Sequence, residues 1–181
     1  MTTTFVTSDW HIGHSGILKR QPERARLWGD VESAASSFVS LWNSTVSKRD
    51  TVWALGDLFW SNKWFWRTFP EMNGRINVVL GNHDDCLSSE ALKMFESVSS
   101  YREVRLGLGA GRTVLCHYPF KSWRNSWHGS VSLHGHSHNH IPVTEEPGRD
   151  ESFWRRRVDV GIDAWDLRPA SVDEITTVVR G

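Results

Sequence analysis

The stretch Ile76-Asn77-Val78-Val79-Leu80-Gly81-Asn82-His83-Asp84 is a short, almost wholly apolar run that stops at a glycine and gives way to three polar side chains in a row. An apolar run without polar alternation predicts a strand covered on both faces, as in a mainly parallel sheet with helices packed on it. The same pattern returns on either side. Residues 4–8 end at Asp9-Trp10-His11, residues 51–55 at Gly56-Asp57, residues 113–116 at His117, and residues 130–133 at His134-Gly135-His136-Ser137-His138. Further strands are predicted over 98–106 and 157–160. Helices are predicted over 31–48, where apolar residues recur every three or four positions, and over 64–72, interrupted by Pro70. Two more are predicted over 89–96, with Ser88 or Ser89 as cap, and over 171–179, where the cap and Glu174 form a capping box. A polar loop is predicted over 142–151. Strands alternating with helices make this an α/β chain.

At 181 residues, 39% hydrophobic and 23% charged, the chain has enough apolar surface for a real core and is expected to form one domain over 1–181. Disordered and fibrous classes are excluded. Lys plus Arg equals Asp plus Glu at 21 each, so no net field draws the chain to nucleic acid or to an anionic membrane, and specific nucleic-acid binding is not expected. Oligomeric state cannot be read from these features. Cys86 and Cys116 are too few for a disulfide framework and lack zinc-site spacing, so buried free thiols are expected. There is no signal-peptide pattern and no membrane-length apolar stretch, which makes a cytoplasmic location the expectation. The histidines are unevenly placed: four of the nine fall between His134 and His140.

Five polar clusters therefore follow five strand-like runs: Asp9 with His11, Asp57, Asn82 with His83, His117, and His136 with His138. Loops at strand ends are where rigid scaffolds hold ligands. Carboxylate, imidazole and one amide oxygen, with no thiolate, are the donors that a borderline divalent metal takes. In an extended segment, side chains at i and i+2 point the same way, so Asp9 and His11 can meet one ion, as can His136 and His138. Gly56, Gly81 and Gly135 precede the clusters and let the backbone turn tightly against them.

The ordered set Asp-x-His, Gly-Asp, Gly-Asn-His-Asp, His, Gly-His-x-His over residues 9–138 resembles the calcineurin-like metallophosphoesterase superfamily, and Val-Asp-Val-Gly-Ile-Asp in the tail is similar to its small stand-alone bacterial and bacteriophage members. The resemblance implies a four-layer α-β-β-α sandwich with two mixed sheets and a metal site at the C-terminal ends of the strands. It also implies two divalent metal ions, with manganese favoured and iron, zinc or nickel as alternatives. Asp9, His11 and His138 would hold the first, Asn82, His117 and His136 the second, and Asp57 would bridge them. His83 matches the position beside the substrate phosphate, and Asp84 the acidic partner that orients it. The implied reaction is hydrolysis of a phosphoester by metal-activated hydroxide, with His83 as general acid. The small size favours small phosphodiesters, with 2′,3′- and 3′,5′-cyclic nucleotides foremost. A phosphomonoesterase or a nuclease with the same metals is the alternative, and a non-catalytic scaffold on the same fold is the alternative of a different class.

Residues outside this set carry open readings. His14 either faces the substrate, as Asn82 and His83 would, or supports a ligand from behind. Trp123 and Arg124 offer a stacking ring and a guanidinium for a nucleotide, with core packing as the rival for the ring. His134 and His140 are not expected to be ligands, and His128 is expected at the surface. Arg155 to Arg157 read as a solvated strand edge.

Overall fold

A computed structural model describes residues 2–140 and 150–181, so most of the loop predicted over 142–151 lies outside the described residues. The strands are β1 (Thr4–Thr7), β2 (Thr51–Ala54), β3 (Arg75–Val79), β4 (Ser97–Ser99), β5 (Arg102–Val104), β6 (Thr113–Leu115), β7 (Ser132–His134), β8 (Arg157–Asp159) and β9 (Ala170–Ser171). The helices are α1 (Ser15–Arg20), α2 (Pro22–Trp28), α3 (Val31–Thr45), α4 (Asn62–Thr68), α5 (Ser89–Leu92), α6 (Glu151–Trp154) and α7 (Val172–Arg180). One sheet has the order β4-β3-β2-β1-β9 and the other β5-β6-β7-β8. All neighbours run parallel except β9 against β1 and β5 against β6, so both sheets are mixed.

Strand alternation builds the layers. Phe5, Val52 and Ile76 lie in register across β1, β2 and β3 and share one face. There they pack with Phe38 and Trp42 of α3 in the helical layer. Their chain neighbours point the other way. Val6 and Val79 meet Leu115, Leu133 and Val158 of the second sheet in the core between the sheets. The outer face of the second sheet is covered by a smaller cluster of Val114, Trp123, Phe153 and Trp154, to which α6 contributes. The result is the α-β-β-α order, with a thin fourth layer.

Because β1, β2 and β3 run in one direction, the polar segments that follow them emerge along one edge, and β6 and β7 bring theirs from the second sheet. Main-chain bonds tie these segments together: Asp9 N donates to Gly56 O at 3.0 Å, His11 N to Asp57 O at 3.0 Å, and Gly135 N to His117 O at 2.9 Å. No helix among the described residues is long and apolar enough to cross a membrane.

The predicted strand over 98–106 is two strands, β4 and β5, which belong to different sheets. Periodicity cannot register that the chain changes sheet within one extended stretch. The helix predicted over 64–72 gives way at its end to a 3₁₀ turn, Phe69–Glu71, because Pro70 has no N–H for an α-helical bond. Helix α5 is shorter than predicted but is capped by Ser88, whose hydroxyl accepts from Ala91 N. Helix α7 has the predicted capping box: Ser171 Oγ accepts from Glu174 N, and the Glu174 carboxylate accepts from Ser171 N.

Helix α7 puts buried Ile175 into the core between the sheets, so its cap reports on the whole fold. Ser171→Ala is expected to lower stability by about 1 kcal/mol, the usual cost of an N-cap serine, read as a lower midpoint in urea denaturation; an unchanged midpoint would show that tertiary packing alone holds α7.

Candidate metal centre

The loops after the strands bring the predicted ligands into two groups. Asp9, His11 and His138 form one and Asp57, His117 and His136 the other, each with its donor atoms within 4.8 Å of one another. A single oxygen links them: Asp57 Oδ2 lies 3.8 Å from His11 Nε2 and 3.4 Å from His117 Nε2. That is the position a bridging ligand needs. Asn82 joins the second group, with its Oδ1 3.1 Å from His117 Nε2.

The backbone is forced at these positions. Asp9, His11, Asp57, His136 and His138 all have φ between 47° and 68°, in the left-handed region that costs a non-glycine residue about 1–2 kcal/mol. Left-handed residues turn the chain sharply and bring its side chains together at the strand ends. Close backbone approach makes room for them: a Cβ on Gly56 would lie 2.4 Å from Gly81 N, and one on Gly135 would lie 2.4 Å from Asp9 Oδ2.

A second ring of contacts fixes the ligands. His117 Nδ1 lies 2.7 Å from Leu55 O, and His138 Nδ1 lies 2.7 Å from Asp163 Oδ2. In each ring Nδ1 is thus the donor, and Nε2 is left for a metal. Asp163 is held in turn by Arg24, whose guanidinium donates to both its carboxylate oxygens at 2.6 Å. The same guanidinium donates to Asp9 O at 2.8 Å and to Trp10 O at 2.9 Å and is almost wholly buried. Asp9 accepts from His136 N at 2.9 Å, which locks the loops of the two sheets together.

The donor set fits a divalent cation. Burial pushes the Asp9 carboxyl up to about 7, and the nearby His138 and His117 offset this only in part. Burial likewise pushes His11 down to about 3, so its ring is neutral and keeps the lone pair a metal takes. Among the described residues His11 Nε2 is buried with no hydrogen-bond partner, and an orphaned polar atom beside two carboxylates is one that a cation would satisfy. For Asp57, burial works upward, but the hydrogen bond and charge of His117 outweigh it and hold the carboxyl at about 2. Asp163 is also held at about 2, since His138 and Arg24 overcome its burial.

His83 stands beside this centre with a half-open side chain. Its amide donates to Asp57 Oδ1 at 2.9 Å, and its Nε2 is 4.0 Å from Asp57 Oδ2. The pairing expected between Asp84 and His83 gives way to another arrangement. The buried Asp84 carboxylate accepts from Asp57 N, Leu58 N and Gly81 N at 2.8–3.0 Å, so it staples the β2 and β3 loops together. Arg124 is also corrected: its guanidinium is solvent-exposed and pairs with Glu103 at 3.0 Å, outside the cleft. Trp123 beside it is core, with its indole N–H on Ser130 O. Cys86 is only half-buried, while Cys116 is buried as expected.

The cleft over the centre has a volume of about 260 Å³, enough for a phosphate and a small attached group, and His14 and His83 are among the residues that line it. His14 stacks flat on Trp60, with centroids 3.8 Å apart. His140 and Arg20 also line the cleft, whereas His134 is buried with Nδ1 on Gly135 O. Arg20, Arg24 and Asp163 carried no role in the sequence reading. Pro22 at the start of α2 and Gly29 after its end were the available signals for the helix that carries Arg24.

A family model described as calcineurin-like phosphoesterase matches residues 2–174. The Gene 66 protein of Mycobacterium phage L5 is 33% identical, covering 99% of this chain and 95% of that protein, and the Gene 66 protein of Mycobacterium phage D29 is 30% identical, covering 99% and 97%. The chain thus spans nearly the whole length of both. A crystal structure of a protein of unknown function from Aquifex aeolicus superposes with a TM-score of 0.69 at 22% identity, covering 98% of this chain and all of that one, a likeness of fold.

The Arg24, Asp163 and His138 series generates a prediction. Asp163→Asn removes the charge that orients His138 and is expected to weaken manganese binding by about 10- to 100-fold, measured by titration of the apoprotein with folding checked by circular dichroism; a folded variant with unaltered affinity would sever Asp163 from the centre.

Proposed function

The chain belongs to the calcineurin-like phosphoesterase family, and from that premise we propose that it is a dinuclear metal-dependent phosphodiesterase for small nucleotide-type diesters, with manganese as the working metal. The observation that carries the proposal is the single Asp57 oxygen facing a ligand group on either side, at the floor of a cleft of phosphoester size. Asp9, His11 and His138 would hold one ion, Asn82, His117 and His136 the other, and Asp57 both. The match over residues 2–174 supports reading 1–181 as one domain. All seven positions keep a competent donor side chain, which supports an enzyme over a scaffold.

When bound, two divalent ions supply charge neutralisation for the phosphoryl oxygens and lower the pKa of water enough for attack at neutral pH. The chain's own residues do the rest. Water gives one proton to solvent as its oxygen bonds to phosphorus and the bond to the leaving oxygen breaks; the leaving oxygen takes a proton from the protonated His83 ring at the mouth of the cleft, which regains one from solvent for the next turnover. The hydrogen bond from His83 N to Asp57 Oδ1 fixes the His83 backbone relative to the Asp57 carboxylate. Asp84 contributes through the backbone, keeping the loops of Asp57 and Gly81 in register. A cleft of about 260 Å³ takes the phosphate and the adjoining part of a cyclic or a linear nucleotide diester.

The test is a panel of 2′,3′-cyclic and 3′,5′-cyclic nucleotides, a linear nucleotide diester and matched monoesters, with added manganese. Turnover of diesters above monoesters is expected; cleavage of monoesters alone would overturn the diester reading. Within the same panel, Asp57→Ala is expected to lose metal and activity together. His83→Ala should retain metal and lose about 10²- to 10⁴-fold in rate, most on poor leaving groups, and loss of metal in that variant would refute its assignment.

A further inference from the structure

We infer that Trp60 and Tyr118 are stacking platforms for the two bases of a linear phosphodiester, so that the bond cleaved joins two nucleosides; this rests on the phosphodiesterase reading above. Trp10 and Phe59, the aromatic residues nearest in sequence to the first two clusters, are almost wholly buried. Trp60 and Tyr118 are not: 44% and 45% of each is open to solvent. An exposed indole and an exposed phenol on the rim of one cleft keep apolar faces in water, where a ligand ring can cover them.

The two rings border different ligand groups. Trp60 lies flat on His14, at 3.8 Å and an interplanar angle of 4°, and 5.5 Å from His83, and both histidines line the cleft. Tyr118 sits 5.1 Å from His117 and 4.9 Å from His136, on the side of the second group. Neither ring lines the cleft itself; each stands one side chain away from the place where phosphorus would sit. A nucleobase hangs one sugar away from its phosphate, so a diester centred over Asp57 carries its bases outward to these two rings. The stack on His14 holds Trp60 in place before substrate arrives, which lowers the entropy cost of binding. Every base offers a π face, so the platforms would be tolerant of sequence. A cyclic nucleotide has one base and can use only one platform, and the structure therefore favours linear diesters.

The experiment uses the full chain loaded with manganese and a dinucleoside methylphosphonate, which retains both bases and resists hydrolysis, with dimethyl phosphate as the base-free control. Binding is measured by calorimetry for the native protein, Trp60→Ala, Trp60→Phe, Tyr118→Ala and Tyr118→Phe, alongside turnover of a natural dinucleotide. Each alanine variant is expected to lose about 5- to 100-fold in affinity for the dinucleoside, each phenylalanine variant to recover most of it, and binding of the base-free control to stay constant. Unchanged dinucleoside affinity in the alanine variants, or an equal loss for the base-free control, would overturn the platforms. A single-stranded hexanucleotide separates the two sources of this chemistry. Equal affinity assigns a free dinucleotide, and tighter binding that still falls in both alanine variants assigns a strand end. If the variants behave as expected but the native protein cleaves no diester, the phosphodiesterase reading fails and the platforms stand; diester cleavage with base-independent variants fails the platforms alone.

Discussion

Asp9 and Asp57 are carboxylates with almost no access to water, and the rest of the centre is arranged around the charge they carry. A buried anion is tolerated only when paired and hydrogen-bonded. Asp57 obtains this from His117 and from the His83 amide, and it stays well below the ordinary carboxylate range. Asp9 does not obtain enough: its carboxyl is pushed up to about 7 even with the His136 amide on it and His138 nearby. A cation held between Asp9 and the Nε2 of His11 beside it would offset that burial.

The fold contributes rigidity to this arrangement. Parallel strands deliver three loops to one edge, and the second sheet delivers two more. The loops are then fastened by groups that touch no substrate. Asp84 binds three backbone amides across β2 and β3, while the buried Arg24 joins α2 to the Asp9 loop and, through Asp163, to His138. These fastenings hold five ligand residues in left-handed conformations that an unsupported loop would relax. Strain concentrated at these positions keeps their carboxylate and imidazole atoms facing each other.

The sequence made much of this legible, for physical reasons. Buried parallel strands show as unbroken apolar runs, and the Asp, Asn and His side chains that gather at their ends show as polar residues after each run, so this clustering and the α/β class could be read from order and spacing. The capping box of α7 was legible because it is local. Arg24 was not, since an arginine on a seven-residue helix reads as surface until the chain is folded over it. Asp163 likewise gains its meaning only from contacts 25 and 139 residues away, to His138 and Arg24. Asp84 was legible as part of the cluster but not in its task, because a carboxylate that staples backbone amides looks the same in sequence as one that orients an imidazole. The break of 98–106 into two sheets left no mark on periodicity, which reports burial of alternate faces and not the identity of the partner strand.

Anomalous scattering from manganese-loaded crystals, collected at the manganese edge, decides whether Asp57 joins two metal positions, because it locates the ions independently of any substrate. The expected result is two peaks about 4 Å apart, one among Asp9, His11 and His138, the other among Asn82, His117 and His136, with Asp57 between them. A single peak, or two peaks that do not share Asp57, would contradict it.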